Sequence, residues 1–381
     1  MKTKLLFLFA FIITTANTYS QTEVSPYVEN LIEPNRMVTD GTDLYVQGYE
    51  NLYVIDTSAP TPTATLIYTP ELNFSMYNLT ISGNTLYMTE ENYNESTGVF
   101  LGSRIVALDL NNLANPVDVV YSTGEFINAL TISGNTIYFS AETLLNPPSF
   151  DPFITHIDKI DISQPNPEPT VIVSELTDGV AQDIVLYNND LYVSDIDNST
   201  IHKFNATQIE PLVDNYLINL NTPRGLYVFS NELYIAENFE TTKIDLDDFS
   251  ADLENVAQNT TYQDVNNGMD FYANFRDVAI IGTTIYMTLH EDENGRVVKI
   301  EDSTLSVDNL TLDNITVVNS DSNISVEGLK ENTNVELYGL SGQLITTKNL
   351  TPNNNNIDIS NLEKGIYLLK VENSKTFKLV K

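Results

Sequence analysis

Two short phrases recur six times along the chain, and the period of that recurrence limits its fold more than any other feature. The first is an aliphatic-Tyr strand closing on an acidic residue, with its tyrosine at Tyr45, Tyr87, Tyr138, Tyr192, Tyr234 and Tyr286, spaced by 42, 51, 54, 42 and 52 residues. The second is a strand ending at Ile55-Asp56, Leu108-Asp109, Ile160-Asp161, Phe204-Asn205, Ile244-Asp245 and Ile300-Glu301. A unit of this length has room for four strands but cannot bury its apolar faces alone, so neighbouring units must stack. Six such units imply an all-β chain built as a six-bladed β-propeller.

The second unit shows the grammar of one blade. Asn78-Leu79-Thr80-Ile81 alternates as a half-buried strand, Ser82-Gly83-Asn84-Thr85 is a tight turn, and Leu86-Tyr87-Met88-Thr89 returns. The third unit repeats this closely from Leu130 to Tyr138. A third strand carries the aliphatic-acid phrase, and a fourth follows a proline, as at Pro116 to Tyr121 or Pro211-Leu212-Val213, which suits an edge strand. The sixth unit lacks a fourth strand. Residues Tyr27 to Ile32 resemble the missing piece, so the N-terminal segment is expected to close the ring by pairing with the last blade.

The flanks differ from the repeats. Residues 1–20 carry Lys2 and Lys4, an apolar run from Leu5 to Ile13 and a small-residue stretch before Gln21, which reads as a cleaved secretory signal. No later stretch has the roughly 18 apolar residues of a membrane span. The chain has no cysteine, which excludes disulfides, thiolate metal sites and thiol nucleophiles. Its 18 Lys and Arg face 52 Asp and Glu, for a net charge of −34. Residues 317–381 hold seven of each sign, so the acidity belongs to the repeats. Such a surface repels nucleic acid. The expected division is a signal at 1–20, a propeller at 21–303, a linker at 304–316 and a C-terminal domain at 317–381.

Thr222-Pro223-Arg224-Gly225-Leu226-Tyr227-Val228, followed by Glu232 to Glu237, resembles the six-bladed repeats of the NHL and YWTD type, a likeness extending loosely over residues 27–303. The last 65 residues alternate as a small β-sandwich. Their run Leu362-Glu363-Lys364-Gly365-Ile366-Tyr367 and lysine-rich final strand Lys375 to Lys381 are similar to the type A sorting domain of the type IX secretion system in Bacteroidota, although Ile315 to Ser320 replaces that family's Tyr-Pro-Asn-Pro-like opening. The resemblance implies export through the type IX machinery and removal of the domain at the outer membrane. The working protein is then secreted or displayed at the cell surface, and a monomer is expected.

On a propeller frame, Arg36, Asn78, Asn128, Asp183, Arg224 and Asp277 fall at the mouth of the central channel, and Glu90, Glu142, Asp195, Glu237 and His290 end the second strands beside them. Carboxylates gathered there need an offsetting charge. Ion pairs of Arg36 and Arg224 with Asp183 and Asp277 would supply it. So would a hard cation, most naturally calcium, held by Asn78, Asn128, Asp183 and Asp277. Six-bladed lactonases resembling gluconolactonase hold a divalent metal with Glu, Asn and Asp in this channel, but the first unit offers Arg36 where an acid belongs. His156 and His202 lie in alternating strands, and His290 has no defined nucleophile beside it. The connections Glu91–Ser103 and Thr143–Thr155 are the longest, and carry Tyr93, Phe100, Phe150 and Phe153 as a rim suited to a glycan or protein ligand. Two functions follow: an exported binding protein, or a calcium-dependent lactonase or esterase working in the channel.

Overall fold

The computed structural model describes residues 24–94, 96–145, 153–248, 251–258, 262–263, 270–271, 274–290, 295–302, 305, 316–319, 323–327, 332–339, 344–352, 354–360, 362, 366–371 and 376–380. The signal segment and Phe150 lie outside them. Between residues 25 and 301, six four-stranded antiparallel sheets succeed one another. Their innermost strands are Arg36–Thr39, Phe74–Ser82, Leu130–Ser133, Ala181–Tyr187, Leu226–Phe229 and Asn274–Ile281. Each abuts the next, and the last returns to the first, so the sheets form the closed ring of a β-propeller.

The two recurring phrases glue the ring from opposite sides. The apolar core is divided into clusters, one at each junction between successive sheets. The tyrosine of every unit packs into the junction with the following sheet, so that Tyr45 joins Met76 and Leu86, and Tyr286 joins Met37 and Leu44. The apolar residue of the second phrase faces the other way: Leu108 packs toward the first sheet and Ile300 toward the fifth. Each unit thus presents one phrase to each neighbour, which accounts for the presence of both in every copy.

The acid of the second phrase is a turn former. The side-chain oxygen of Asp56, Asp109, Asp161, Asn205 or Asp245 accepts the N–H two residues on, at 2.8–3.0 Å. The next N–H after it reaches back to the hairpin turn, as from Leu110 to the Asn84 carbonyl at 2.9 Å and from Leu246 to the Asn231 carbonyl at 2.7 Å.

Ser25–Leu31 pairs antiparallel with Gly295–Glu301 and completes the sixth sheet. Val28 and Leu31 are buried at its junction with the first sheet. Two details differ from the sequence expectation. The outer strand of the fourth sheet is Asp214–Leu217, beginning just after Pro211-Leu212-Val213. The supposed long loop of the second unit is mostly hairpin: Thr85–Asn94 and Val99–Asp109 pair over their length, and only a short turn lies between them.

The C-terminal segment folds as a three-stranded and a four-stranded sheet. Their alternating residues Ile324, Val326, Val335, Leu337, Leu369 and Val371 share one core, so this part is a sandwich. Among the described residues no helix is long and apolar enough to cross a membrane.

Candidate functional site

The inner strands come in two kinds. Those of sheets 2, 4 and 6 are long and carry a bulge directly before Asn78, Asp183 and Asp277, whereas those of sheets 1, 3 and 5 are four residues long. A bulge inserts one residue and re-aims its neighbours. The inserted residues are Tyr77, Gln182 and Arg276; they stand at the channel mouth beside Asn78, Asp183 and Asp277, and the last two also line a cavity of about 230 Å³ that the inserted residues themselves do not line. The walls of this cavity also include Met37, Thr80, Thr131, Val185 and Val228.

Asp183 and Asp277 do the same mechanical work. Asp183 accepts the N–H of Ile184 at 2.9 Å and, across the junction, that of Leu226 at 2.8 Å. Asp277 accepts from Val278 at 2.8 Å and from Met37 of the first sheet at 2.7 Å. Each clasps its sheet to the next. Gly225 permits this approach, since a Cβ there would sit 2.3 Å from Asp277 Oδ1 and 2.6 Å from the Arg276 carbonyl. Burial pushes both carboxyls well above the carboxylate range; the Asp183 charge adds to this at Asp277, while Arg36 and the N–H donors oppose it.

The expected ion pairs are not formed: among the described residues, no carboxylate lies within 4.0 Å of Arg36 or Arg224. Arg36, 2% exposed, crosses the channel and donates to the carbonyls of Arg276 at 3.1 Å and Gln182 at 2.6 Å. Arg224 Nε donates to Asn238 at 3.2 Å. Of the proposed metal ligands, Asn78 and Asp183 meet at 3.3 Å, but Asn128 is turned away to Glu142. The carboxylate oxygens of Asp183 and Asp277 are already occupied by N–H donors, and Arg36 adds positive charge. This donor set does not fit a hard cation, and among the described residues no group of three or more acidic or imidazole side chains could hold one.

The ends of the second strands are individually tied. Glu90 accepts from Tyr68 at 2.6 Å and pairs with Arg104 at 2.7 Å. Burial would raise the Asp195 carboxyl, but bonds from His202, Thr177 and Asn198 hold it at about 2. Glu237 accepts from Asn221 at 2.6 Å and Thr242 at 2.9 Å, yet burial still raises it. Burial, with the nearby Glu91 charge, pushes Glu142 to about 8. His290 pairs in register with Asn274 at the end of its strand. His156 bonds Asp158 at 3.1 Å through Nδ1 and faces Glu125 at 3.5 Å through Nε2, and the two carboxylates override burial to hold the imidazole at about 9.

Sequence reasoning missed Arg276, Gln47, Tyr49, Tyr77 and Glu91. Tyr49 and Tyr77 meet edge to face at 5.5 Å. Tyr93 donates to Glu91 at 2.7 Å, and burial lifts Glu91 to about 7. Of the expected aromatic rim, Phe100 stacks on Phe126 at 3.6 Å and packs edge-on to Tyr93 at 5.7 Å, so these rings pin the hairpin. Several buried polar atoms around the mouth have no hydrogen-bond partner among the described residues: Arg36 Nε, Arg276 Nε, both amide atoms of Gln47, Asn78 Oδ1 and Glu91 Oε1. Buried polar groups are ordinarily paired, so their gathering at one mouth marks it out.

Residues 318–381 match the secretion system C-terminal sorting domain. The tail directs the chain through the type IX system, whose machinery it meets in transit, to the outer surface or the extracellular space. No curated protein matches the chain. Among solved structures, a luciferin-regenerating enzyme superposes with a TM-score of 0.50 at 12% identity, covering 73% of this chain and 93% of its own. The PQQ-bound aldose sugar dehydrogenase of Streptomyces coelicolor gives 0.46 at 13% identity, covering 74% and 98%. At such identity the likeness concerns the fold alone.

Proposed function

We propose that this protein is an exported recognition module that binds a small polar ligand at the channel mouth, after loss of the signal at residues 1–20 and of the sorting tail. One observation carries this reading: buried polar groups of the first, second and sixth sheets that have no partner among the described residues lie where Tyr49 and Tyr77 offer aromatic faces. A few convergent polar groups beside aromatic side chains are what small-ligand sites use. The ligand class expected from sequence, a glycan or protein segment, fits Tyr49 and Tyr77 better than the packed Phe100. The full chain would be tested on glycan and peptide arrays beside Tyr49→Ala and Tyr77→Ala. Specific binding lost in both variants supports the reading; binding indifferent to both overturns it.

A hydrolase is the second reading, favoured by Glu91 and Glu142, whose raised carboxyls suit a general acid near neutrality. Turnover of lactones or esters that survives chelation and falls with Glu91→Gln would select it.

A further inference from the structure

We infer that the mouth is an oxyanion site: Arg224 and Arg276, backed by Arg36, receive a carboxylate or phosphate group of the ligand. This rests on the recognition reading and names its ligand chemistry.

The argument begins with the scarcity of positive charge. Residues 21–316 contain nine Lys and Arg among 45 Asp and Glu. Five of the nine hold a carboxylate: Arg104 with Glu90 at 2.7 Å, Lys203 with Asp190 at 3.2 Å, Lys243 with Glu232 at 2.7 Å, Arg296 with Glu29 at 3.6 Å and Lys299 with Glu301 at 2.8 Å. Among the described residues, Lys159 on the third sheet and the three arginines of the mouth hold none within 4.0 Å, and only the arginines are gathered in one place, although carboxylates outnumber cations about fivefold in the repeats.

These three are also brought together by backbone contact. Arg36 donates to the Arg276 carbonyl, and Gly225, next to Arg224, lies against that same carbonyl. Burial lowers the Arg224 guanidinium to about 10, and the charges of Arg276 and Arg36 add to the effect. The like charges of the three guanidinium groups repel one another. Asp183 and Asp277 act on Arg36, which opposes the rise of both carboxyls, so the cations left without an acidic neighbour are Arg224 and Arg276. Arg224 and Arg276 are half-buried and so open to a ligand, whereas Arg36 lies beneath. Among the described residues, Arg224 spends only Nε, on Asn238, and Arg276 Nε has no partner. Planar guanidinium forks match carboxylate and phosphate in geometry as well as charge. Gln47, the register partner of Arg36, adds an uncommitted amide.

The test is calorimetric titration of the full chain with sodium succinate and, separately, inorganic phosphate, at ionic strength fixed with sodium chloride. Saturable 1:1 binding of one or both anions is expected, weakened about tenfold or more by Arg224→Gln or Arg276→Gln and unchanged by Lys203→Gln. Preference between the two anions tells a carboxylate ligand from a phosphate one. Binding of neither anion, or equal weakening by Lys203→Gln, overturns the inference. Should a glutamine variant fail to fold, phenylglyoxal labelling of the unmutated chain replaces it: succinate or phosphate must protect Arg224 and Arg276, and unprotected labelling at both overturns the site. A neutral array ligand that still needs Tyr49 and Tyr77 would sink the anion assignment while leaving the recognition reading intact.

Discussion

Asp183 is the residue at which a mechanical and a ligand-binding role separate most cleanly. Its two oxygens take one N–H from its own strand and one from the following sheet. Asp183→Ala leaves the buried Leu226 N–H unpaired and is expected to cost about 1–3 kcal/mol, read in a urea melt. Asp183→Asn, which keeps one acceptor, should cost less. An alanine variant that melts like the parent would show that the clasp contributes nothing. Glu91 and Glu142 carry a pH signature. Their carboxyls are raised in the folded state to about 7 and about 8, so each favours folding fully below its ordinary pKa, and that contribution is lost as pH rises through those values. Glu142→Gln should therefore melt above the parent at pH about 8.5, with the gap closing by pH about 4.5. A constant gap across that range would refute burial as its cause. Arg36, Arg224 and the acids were legible as mouth residues from their place in the repeat. Their partners were not, because no spacing rule tells which side chain faces an arginine across a ring.

Among the elements, the closing strand carries the sharpest prediction. Leu31 is 2% exposed and lies with Val28, Met37 and Val297 at the junction of the sixth and first sheets. Leu31→Ala should destabilise by about 2–5 kcal/mol, most of it cavity and lost transfer energy. Unchanged denaturant midpoints would mean the ring does not depend on this strand. The strand was readable because its sequence resembles the other outer strands and the sixth unit lacks one. The bulges at Tyr77, Gln182 and Arg276 were not readable. A bulge shifts the alternation by one residue, but only one to three strand residues precede each of these bulges, too few to show the shift. The extended second hairpin was hidden for a related reason: Glu91, Asn92 and the run to Ser103 are polar enough to pass for loop, and only pairing with each other makes them strand.

At the scale of the molecule, a strongly acidic ring is joined to a charge-balanced tail that carries the sorting signal. Deleting residues 318–381 should strand the protein inside the cell envelope, which fractionation and immunoblotting would reveal; unimpaired appearance in the medium or at the cell surface would contradict the role of the tail. The sequence alone determined the repeating unit, its hairpins, its phrases and the address, because all of these rest on local periodicity and short contiguous motifs. Only the tertiary structure decided that three arginines gather with no carboxylate within 4.0 Å among the described residues and that two aspartates serve as clasps. Arg36 finds its acceptors 240 and 146 residues away along the chain. Contacts of that separation depend on ring closure, strand register and the placement of three bulges together, and the electrostatics of the mouth follow from that closure.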